Sequence, residues 1–235
     1  MLGAGHSKSI IKLASGTIDG IDVTSLSPVQ LENFRVKGVS GATAGSLIKV
    51  APSSVDAAYE SFRDLSVENG FIAINMNNAI LWSIDRCVID SPASIGVLVQ
   101  SLSNPDAGDS SISNTIFRIS STGSAIWQTS SGGLRVENNK ILGGQHGYML
   151  ALNAGASTSN LIIVGNSFEE QSMDSIAGIK GSGPGFSNIA ISGNTFALTK
   201  NNINFNDQAQ GYLSVLSING NCYRAALHQR EDMRQ

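Results

Sequence analysis

Apolar residues recur along this chain in a short frame that combines strand-like alternation with a turn. Four copies can be laid over one another, at residues 134–141, 161–168, 189–196 and 216–223, and each reads apolar-x-apolar-x-x-Asn-x-apolar. The alternating apolar pair predicts a short strand with one buried face. The Asn predicts a turn, and the last apolar residue predicts the start of a second strand.

The frame repeats at a nearly regular interval over most of the chain. A weaker copy has an Asn at position 114, and earlier copies keep the apolar positions but carry Cys87, Leu65 or Phe34 in place of the Asn. The equivalent positions lie 22–31 residues apart: 34, 65, 87, 114, 139, 166, 194 and 221. Regular spacing of this kind is the signature of a repeat architecture.

Each repeat is expected to contain three short strands, because a third apolar cluster follows the frame, as at Ile95, Val97 and Val99. The sequence has neither the long stretches of period 3.6 of a helical solenoid nor the longer Leu frame of a leucine-rich repeat. We therefore predict an all-β fold, a right-handed parallel β-helix of about eight coils. Residues 1–224 would form this single domain, and the charged residues 225–235 a tail or cap.

The Asn column predicts a ladder of amides inside the stack. Side chains about 4.8 Å apart can hydrogen-bond to one another and to turn backbone, because an amide carries both a donor and an acceptor. We expect five structural rungs: Asn114, Asn139, Asn166, Asn194 and Asn221. The same register directs Cys87 inward and Cys222 outward, roughly 24 Å apart, so both are expected to be free thiols.

Composition narrows the possible functions. Only 14% of residues are charged, and the chain has 25 Gly but 5 Pro, which is typical of many short strands joined by turns. The net charge of −3 gives no basic surface for nucleic acid. No apolar stretch predicts membrane insertion, no secretory signal is expected at the N-terminus, and no metal-ligand spacing or cofactor motif is present.

Two groups of residues are candidates for chemistry. Glu68 and Asp90 share the column three residues after the ladder position, on adjacent coils. Stacked carboxylates raise the pKa of at least one member, and a pair roughly 5 Å apart suits retaining glycoside hydrolysis. The alternative is a solvated turn or a cation site. Charges that alternate between coils, as at Glu32, Arg63 and Asp85, are expected to form surface ion pairs.

The second group follows the frame in the later coils and is expected to lie along one side of the stack. Its catalytic candidates are His146, Glu169 and Asp174, with His146 as a general acid or base. Its candidates for sugar contact are Tyr148, which would stack on a pyranose, and three hydroxyl-binding residues: Glu170, Asn202 and Asp207. The alternative for His146 is an ordinary loop residue.

With its Asn ladder and coils near 25 residues, the chain resembles the pectate-lyase-like β-helix superfamily. The opening Gly3-Ala4-Gly5-His6 through Ile11 is similar to the Gly-x-Gly…Thr-x-Ile segment of early coils in that superfamily, with Ser in place of Thr. It is especially similar to bacteriophage tailspike and tail-fibre depolymerases. The resemblance implies an extended bacterial polysaccharide, of capsule or lipopolysaccharide, as partner. It also implies a place on the virion tail after synthesis in the bacterial cytoplasm.

The resemblance leaves the reaction open, because its motifs specify a fold. A glycoside hydrolase, a polysaccharide lyase and a receptor-binding protein without catalysis all fit. One alternative is a structural or adhesive β-helix, such as a fibre shaft. Another is a secreted bacterial lyase of the pectate-lyase type.

Apolar residues in columns expected to face outward predict assembly. They form a patch across the later coils: Ile112, Phe117, Leu142, Ile162, Val164, Ala190 and Ala197. A patch of this extent is large for a monomer surface, and tailspike-like β-helices are typically trimers, so we predict a homotrimer. The alternative is that loops of the same chain cover the patch.

Overall fold

The computed structural model describes residues 9–24, 26, 28–52, 57–100, 109–129, 132–151, 157–158, 160–179, 185–206 and 212–224. Over these ranges the chain forms 28 strands and no helix, and so no helix that could span a membrane. The predicted tail or cap at 225–235 lies outside the described residues and stays a prediction.

The strands follow one another at short intervals. The first fourteen are β1 (Ile10–Lys12), β2 (Ile21–Asp22), β3 (Gln30–Glu32), β4 (Arg35–Lys37), β5 (Ser46–Val50), β6 (Ala57–Ala58), β7 (Ser61–Arg63), β8 (Ser66–Glu68), β9 (Ile72–Asn77), β10 (Ala79–Ile80), β11 (Ser83–Asp85), β12 (Val88–Asp90), β13 (Ile95–Gln100) and β14 (Ser110–Ser113). The others are β15 (Ile116–Ile119), β16 (Ser124–Gln128), β17 (Leu134–Glu137), β18 (Lys140–Gly143), β19 (His146–Ala151), β20 (Ser157–Thr158), β21 (Leu161–Val164), β22 (Ser167–Glu169), β23 (Asp174–Ile179), β24 (Gly185–Ser192), β25 (Thr195–Ala197), β26 (Asn201–Asn206), β27 (Tyr212–Asn219) and β28 (Cys222–Arg224).

Three parallel sheets run the length of the stack, and each coil contributes a strand to each. Sheet A is β3-β7-β11-β14-β17-β21-β24, with β20 and β27 also paired to β24. Sheet B is β1-β4-β8-β12-β15-β18-β22-β25-β28, and sheet C is β2-β5-β9-β13-β16-β19-β23-β26. A separate pair joins β6 and β10. The all-β fold and the parallel β-helix are therefore confirmed.

Apolar side chains from the three sheets fill the interior in columns, as the alternation predicts. In sheet B the column two residues after the ladder position is fully buried from Val36 to Phe168. The rings of Phe168, Phe196 and Tyr223 stack in this column, with centroids 5.3 and 5.4 Å apart. Burial of such a continuous column stabilises the stack at roughly 25 cal/mol per Å² of apolar surface removed from water.

The Asn ladder is present, but its fifth rung is Thr115, not Asn114. Strand register aligns Thr115 with Cys87 and Asn139, since Asp85 pairs with Ser113 and Ile116 with Lys140. Thr115 is fully buried, and its Oγ1 accepts a hydrogen bond from the Cys87 N–H at 3.2 Å. Asn114 is exposed and donates to Asp85 at 2.8 Å.

The residue just before each ladder position adopts a left-handed backbone, which explains the misassignment. Asn114 (φ 50°) and Asn138 (φ 57°) occupy this column, and Gly165, Gly193 and Gly220 occupy it in the later coils. Asn is favoured there because it tolerates positive φ, and it is favoured one residue later as a ladder rung. The sequence Asn138-Asn139 satisfies both requirements, whereas Asn114-Thr115 carries Asn only at the first.

Surface charges and cysteines agree with the predictions. Arg63 lies 2.7 Å from Glu32, and Arg86 lies 2.6 Å from Asp64, so the alternating charges of adjacent coils form ion pairs. Cys87 is buried and Cys222 is exposed, and both are free.

The prediction of an outward apolar patch is wrong for two of its residues. Ile112 and Phe117 are fully buried, because the shift of one residue at Thr115 moves both into inward columns. The remaining members, here called the side patch, are partly exposed: Leu142, Ile162, Val164, Ala190 and Ala197.

Candidate functional site

The outer face of sheet C carries the most distinctive set of polar and aromatic side chains. Two columns of its strands face inward and are buried, one containing Val97, Ile126 and Ile176. Because side chains alternate along a strand, the residue after each of these faces outward. Strand register stacks these outward residues into one row, here called the outer row: Leu98, Trp127, Met149, Ala177 and Asn204.

Trp127 is the aromatic member of the outer row. Its side chain is partly exposed, whereas Leu98 and Met149, its neighbours in register on either side, are 9% and 4% exposed. The indole is therefore flanked by packed apolar side chains and reaches solvent. A flat, fixed, apolar surface of this kind is what a sugar ring stacks on through its C–H face.

A polar row lies three residues earlier on the same strands. It shares the outer face because strict alternation is interrupted between the two rows: a Cβ at Gly147 would meet the core ring of Phe168, and the next residue, Tyr148, also faces inward. Ser124, His146, Asp174 and Asn201 are in register on β16, β19, β23 and β26. Asp174 Oδ1 accepts hydrogen bonds from the amide nitrogens of Asn201 at 2.9 Å and Asn204 at 3.2 Å. Its Oδ2 lies 3.4 Å from His146 Nδ1. The predicted alignment of His146 with Asp174 on one side of the stack is confirmed.

His146 and Asp174 are shielded from water although they lie on an outer face. Their side chains are 8% and 9% exposed. Burial lowers the pKa of His146, and the adjacent Asp174 carboxylate offsets only part of that shift. His146 Nδ1 makes no hydrogen bond, since its contact with Asp174 lacks hydrogen-bonding geometry. This nitrogen is itself buried, so a ligand would reach it only after a movement of the ring or of the groups that cover it. A neutral imidazole that became accessible in this way is able to exchange a proton.

Tyr148 was predicted to stack on a sugar, and this prediction is wrong. Its side chain is fully buried in an inward column of sheet C, where its hydroxyl donates a hydrogen bond to Gln128. Desolvation raises the pKa of the phenol far above its usual range. Tyr148 therefore packs the core, and the partly exposed aromatic side chain of this part of sheet C is Trp127, one strand away.

Glu68 and Asp90 are in register on β8 and β12, as predicted, but each has a cationic partner. Glu68 forms an ion pair with Arg35 and accepts a hydrogen bond from Ser66 at 3.1 Å, while Asp90 lies 3.5 Å from Arg118. Partial burial raises the pKa of Glu68, yet the bonds from Arg35 and Ser66 outweigh it and leave that pKa below its usual value. The expected rise does not occur at Glu68.

The other predicted residues do not join the polar row. Glu169 lies on sheet B, 3.7 Å from Lys140, in the same column as Glu68 and Asp90 but separated from them by Arg118 and Leu142. Asp207 lies outside the described residues.

Glu170 and Asn202 line one depression of about 690 Å³ together with Lys200 and Tyr223. Tyr223 belongs to an inward column, and no described coil packs beyond it. We therefore do not assign the depression as the site.

Sequence reasoning overlooked Trp127 and Asn204. The outward position of Trp127 could have been predicted from the sequence, because Trp127 falls between two inward positions of the strand Ser124–Gln128. Among the described residues no three His, Cys, Asp or Glu side chains are grouped to hold a metal ion.

Comparisons with known proteins give matches among solved structures. No protein-family model and no curated protein sequence matches the chain. A double mutant of the tailspike protein of E. coli bacteriophage HK620 superposes with a TM-score of 0.53 at 14% identity, over 96% of this chain and 48% of the tailspike. The same tailspike in complex with a pentasaccharide gives a TM-score of 0.52 at 14% identity, with equal coverage. The chain, which spans about half the length of that tailspike, is thus a parallel β-helix that resembles tailspikes in fold.

Proposed function

We propose that the chain is a carbohydrate-directed, tailspike-like β-helix that binds an extended bacterial polysaccharide across the outer face of sheet C. The observation that carries this proposal is the position of Trp127. A partly exposed indole lies between packed neighbours on a regular sheet, next to a row of amide, imidazole and carboxylate groups. From strand spacing, Trp127 and His146 are about 11 Å apart, so neighbouring parts of one sugar chain would contact both.

The fold supports the proposal independently. Parallel β-helices present long, straight rows of side chains, and a linear polymer is the ligand that matches such a surface. The tailspike of bacteriophage HK620, which is similar in fold, forms a complex with a pentasaccharide. By analogy we propose a place on the virion tail, with secretion from a bacterium as the alternative.

Binding is tested with a panel of bacterial capsular and lipopolysaccharide O-chain polysaccharides. The chain contains two Trp residues, and Trp82 is buried at 1% exposure. Fluorescence quenching by acrylamide therefore reports mainly on Trp127, and a bound polysaccharide should protect it. Trp127→Ala should weaken binding about tenfold.

The matched control for Trp127→Ala is Tyr59→Asn. It removes another exposed aromatic ring, at a positive φ of 68° that Asn tolerates, and should leave binding unchanged. Absence of binding to every member of the panel would favour a structural or adhesive β-helix instead.

Cleavage of the bound polysaccharide is a second candidate function, favoured by the position of the His146 imidazole 3.4 Å from the Asp174 carboxylate. In this proposal His146 is the general base or acid and Asp174 orients and stabilises it. Release of new reducing ends would identify hydrolysis, and unsaturated uronates would identify elimination.

Variants of the candidate residues distinguish a catalytic site on sheet C from one on sheet B. His146→Gln and Asp174→Asn should abolish cleavage, whereas Glu68→Gln, Asp90→Asn and Glu169→Gln should not. Loss of cleavage only in the second group would transfer the catalytic site to sheet B.

We further propose a homotrimer whose subunits pack through the side patch. Ile162 and Val164 alternate outward on one strand of sheet A, and Ala190 is in register with Ile162. Light scattering should give three times the monomer mass, and Val164→Glu or Leu142→Lys should dissociate the trimer. A monomeric mass at tens of micromolar would contradict it.

A further inference from the structure

We infer that the sheet C site selects an uncharged polysaccharide and rejects uronate-rich or otherwise acidic ones. This inference rests on the proposed function and specifies its ligand. It follows from the charges that surround Trp127, His146 and Asp174 on the face where the polymer would lie.

The outer row and the polar row contain one fixed charge near Trp127, and it is negative. Asp174 is the acidic member, while the other members from β13 to β26 in the described part of sheet C are apolar, hydroxyl, imidazole or amide groups. His146 adds no compensating positive charge at neutral pH, because burial lowers its pKa.

The two lysines nearest to this face among the described residues do not reverse its charge. Lys49 is in register with the outer row, three strands from Trp127, and already pairs with Asp19 at 2.8 Å and Asp22 at 3.8 Å. Lys200 lies in the turn before β26 and lines the depression that contains Glu170. Neither lysine contacts Asp174.

An acidic sugar would therefore meet repulsion without a counter-charge from the described residues. A carboxylate on the polymer within a few ångströms of Asp174 would interact unfavourably, and the shielding of Asp174 from water would weaken the screening of that repulsion. Neutral sugars instead offer hydroxyl and amide groups, which suit the donors and acceptors of Asn201, Asn204 and His146.

The charges around Asp174 also distinguish hydrolysis from elimination as the possible reaction. Elimination from a uronate removes a proton next to its carboxylate, and the resulting negative charge must be stabilised by cations or strong donors. The described residues around His146 and Asp174 include no Lys or Arg for that role. A binder or a hydrolase of neutral sugars is therefore favoured over a lyase.

The experiment compares acidic capsular polysaccharides with their own carboxyl-reduced forms, in which each uronate has become a neutral hexose. Neutral O-chain polysaccharides complete the panel, and binding is measured with the whole chain at low and at physiological salt. Neutral and carboxyl-reduced polymers should bind at least about tenfold more tightly than the acidic parents, with the larger difference at low salt.

A charge-gain variant provides the internal test. Asn204→Lys adds a cation to the outer row beside Asp174 and should improve binding of the acidic polymers by about fivefold at low salt. Asn219→Lys is the matched control, since it makes the same change at an exposed position on β27 of sheet A. It should leave the acidic polymers unimproved.

The outcomes separate the two proposals. Equal or tighter binding of the acidic polymers by the unmodified chain would overturn the neutral-sugar inference while leaving the proposed function intact. Equal gains from Asn204→Lys and Asn219→Lys would show that the effect is nonspecific attraction and would also overturn it. Absence of binding to any polymer would count against the proposed function itself.

Discussion

Asn194 Oδ1 accepts two hydrogen bonds from Asn166, one from its backbone N–H at 2.9 Å and one from its side-chain amide at 3.0 Å. The same pair of bonds joins Asn139 to Asn166 and Asn194 to Asn221. The side-chain oxygen of each Asn thus accepts the hydrogen bond of a turn N–H in the coil before it. The ladder therefore stabilises the turn backbone as well as the stack of side chains.

Asn166→Ala should lower the free energy of unfolding by about 1–3 kcal/mol. The change leaves the Asn139 N–H without its acceptor and the Val136 carbonyl without its donor, and both are buried. Chemical denaturation measures the loss. Asn219→Ala, at an exposed position, should change stability by less than about 0.5 kcal/mol. Similar losses for the two variants would contradict a structural ladder.

Thr115→Val and Asn114→Gly test the corrected register. Val keeps the shape of Thr115 but cannot accept from the Cys87 N–H or donate to the Ser113 carbonyl, so about 1–3 kcal/mol should be lost. Gly adopts the positive φ of residue 114 without strain, and its effect should be below about 1 kcal/mol. A larger loss from Asn114→Gly would restore Asn114 as the rung.

Thiol labelling should modify one of the two cysteines in the folded chain. Burial raises the pKa of Cys87 to about 12, so its thiolate is scarce and its sulfur is inaccessible. Cys222 is exposed and should react within minutes with a disulfide reagent, whereas Cys87 should react only after unfolding. Cys222→Ser should abolish the fast reaction. Two fast equivalents from the folded wild type would show that Cys87 is accessible.

Stability should fall as the pH is lowered past the normal range of histidine, and His146 should contribute to that fall. Burial sets the pKa of His146 in the folded chain below its value in the unfolded chain, which is about 6.5. The unfolded chain therefore binds a proton first, and the contribution is fully present above that pH and lost below it. Unfolding midpoints at pH 7.5 and 5.0 should differ less for His146→Gln than for the wild type. An equal difference would exclude this role.

The fold was predictable because its causes lie within each repeat. The alternation of apolar residues around a turn indicates the strand length, the inward columns and the coil spacing. These predictions are correct for the copies at Asn139, Asn166 and Asn194. The error at Asn114 arose because two adjacent columns both favour Asn, one for its backbone and one for its amide. Only the register with neighbouring coils distinguishes them.

The candidate site was harder to predict because its chemistry depends on which face a side chain occupies. The alignment of His146 with Asp174 was predicted correctly, because the two residues occupy equivalent places in adjacent coils. Tyr148 was placed on the wrong face, because no Asn column repeats from coil to coil in sheet C to fix the phase of its strands. Trp127 was missed for the same reason. The partner of Glu68 is Arg35, which is 33 residues away and was not considered.

Hydrogen bonding between strands in this stack extends only to the coil above and the coil below. Excision of residues 140–166 would join Asn139 directly to Ser167, and each would keep the column that it occupies now. Asn139 would then donate to Asn194 as it does to Asn166. The chain can therefore lengthen or shorten by whole coils without a change of register, which makes the length of its outer faces adjustable by duplication or loss of a single repeat.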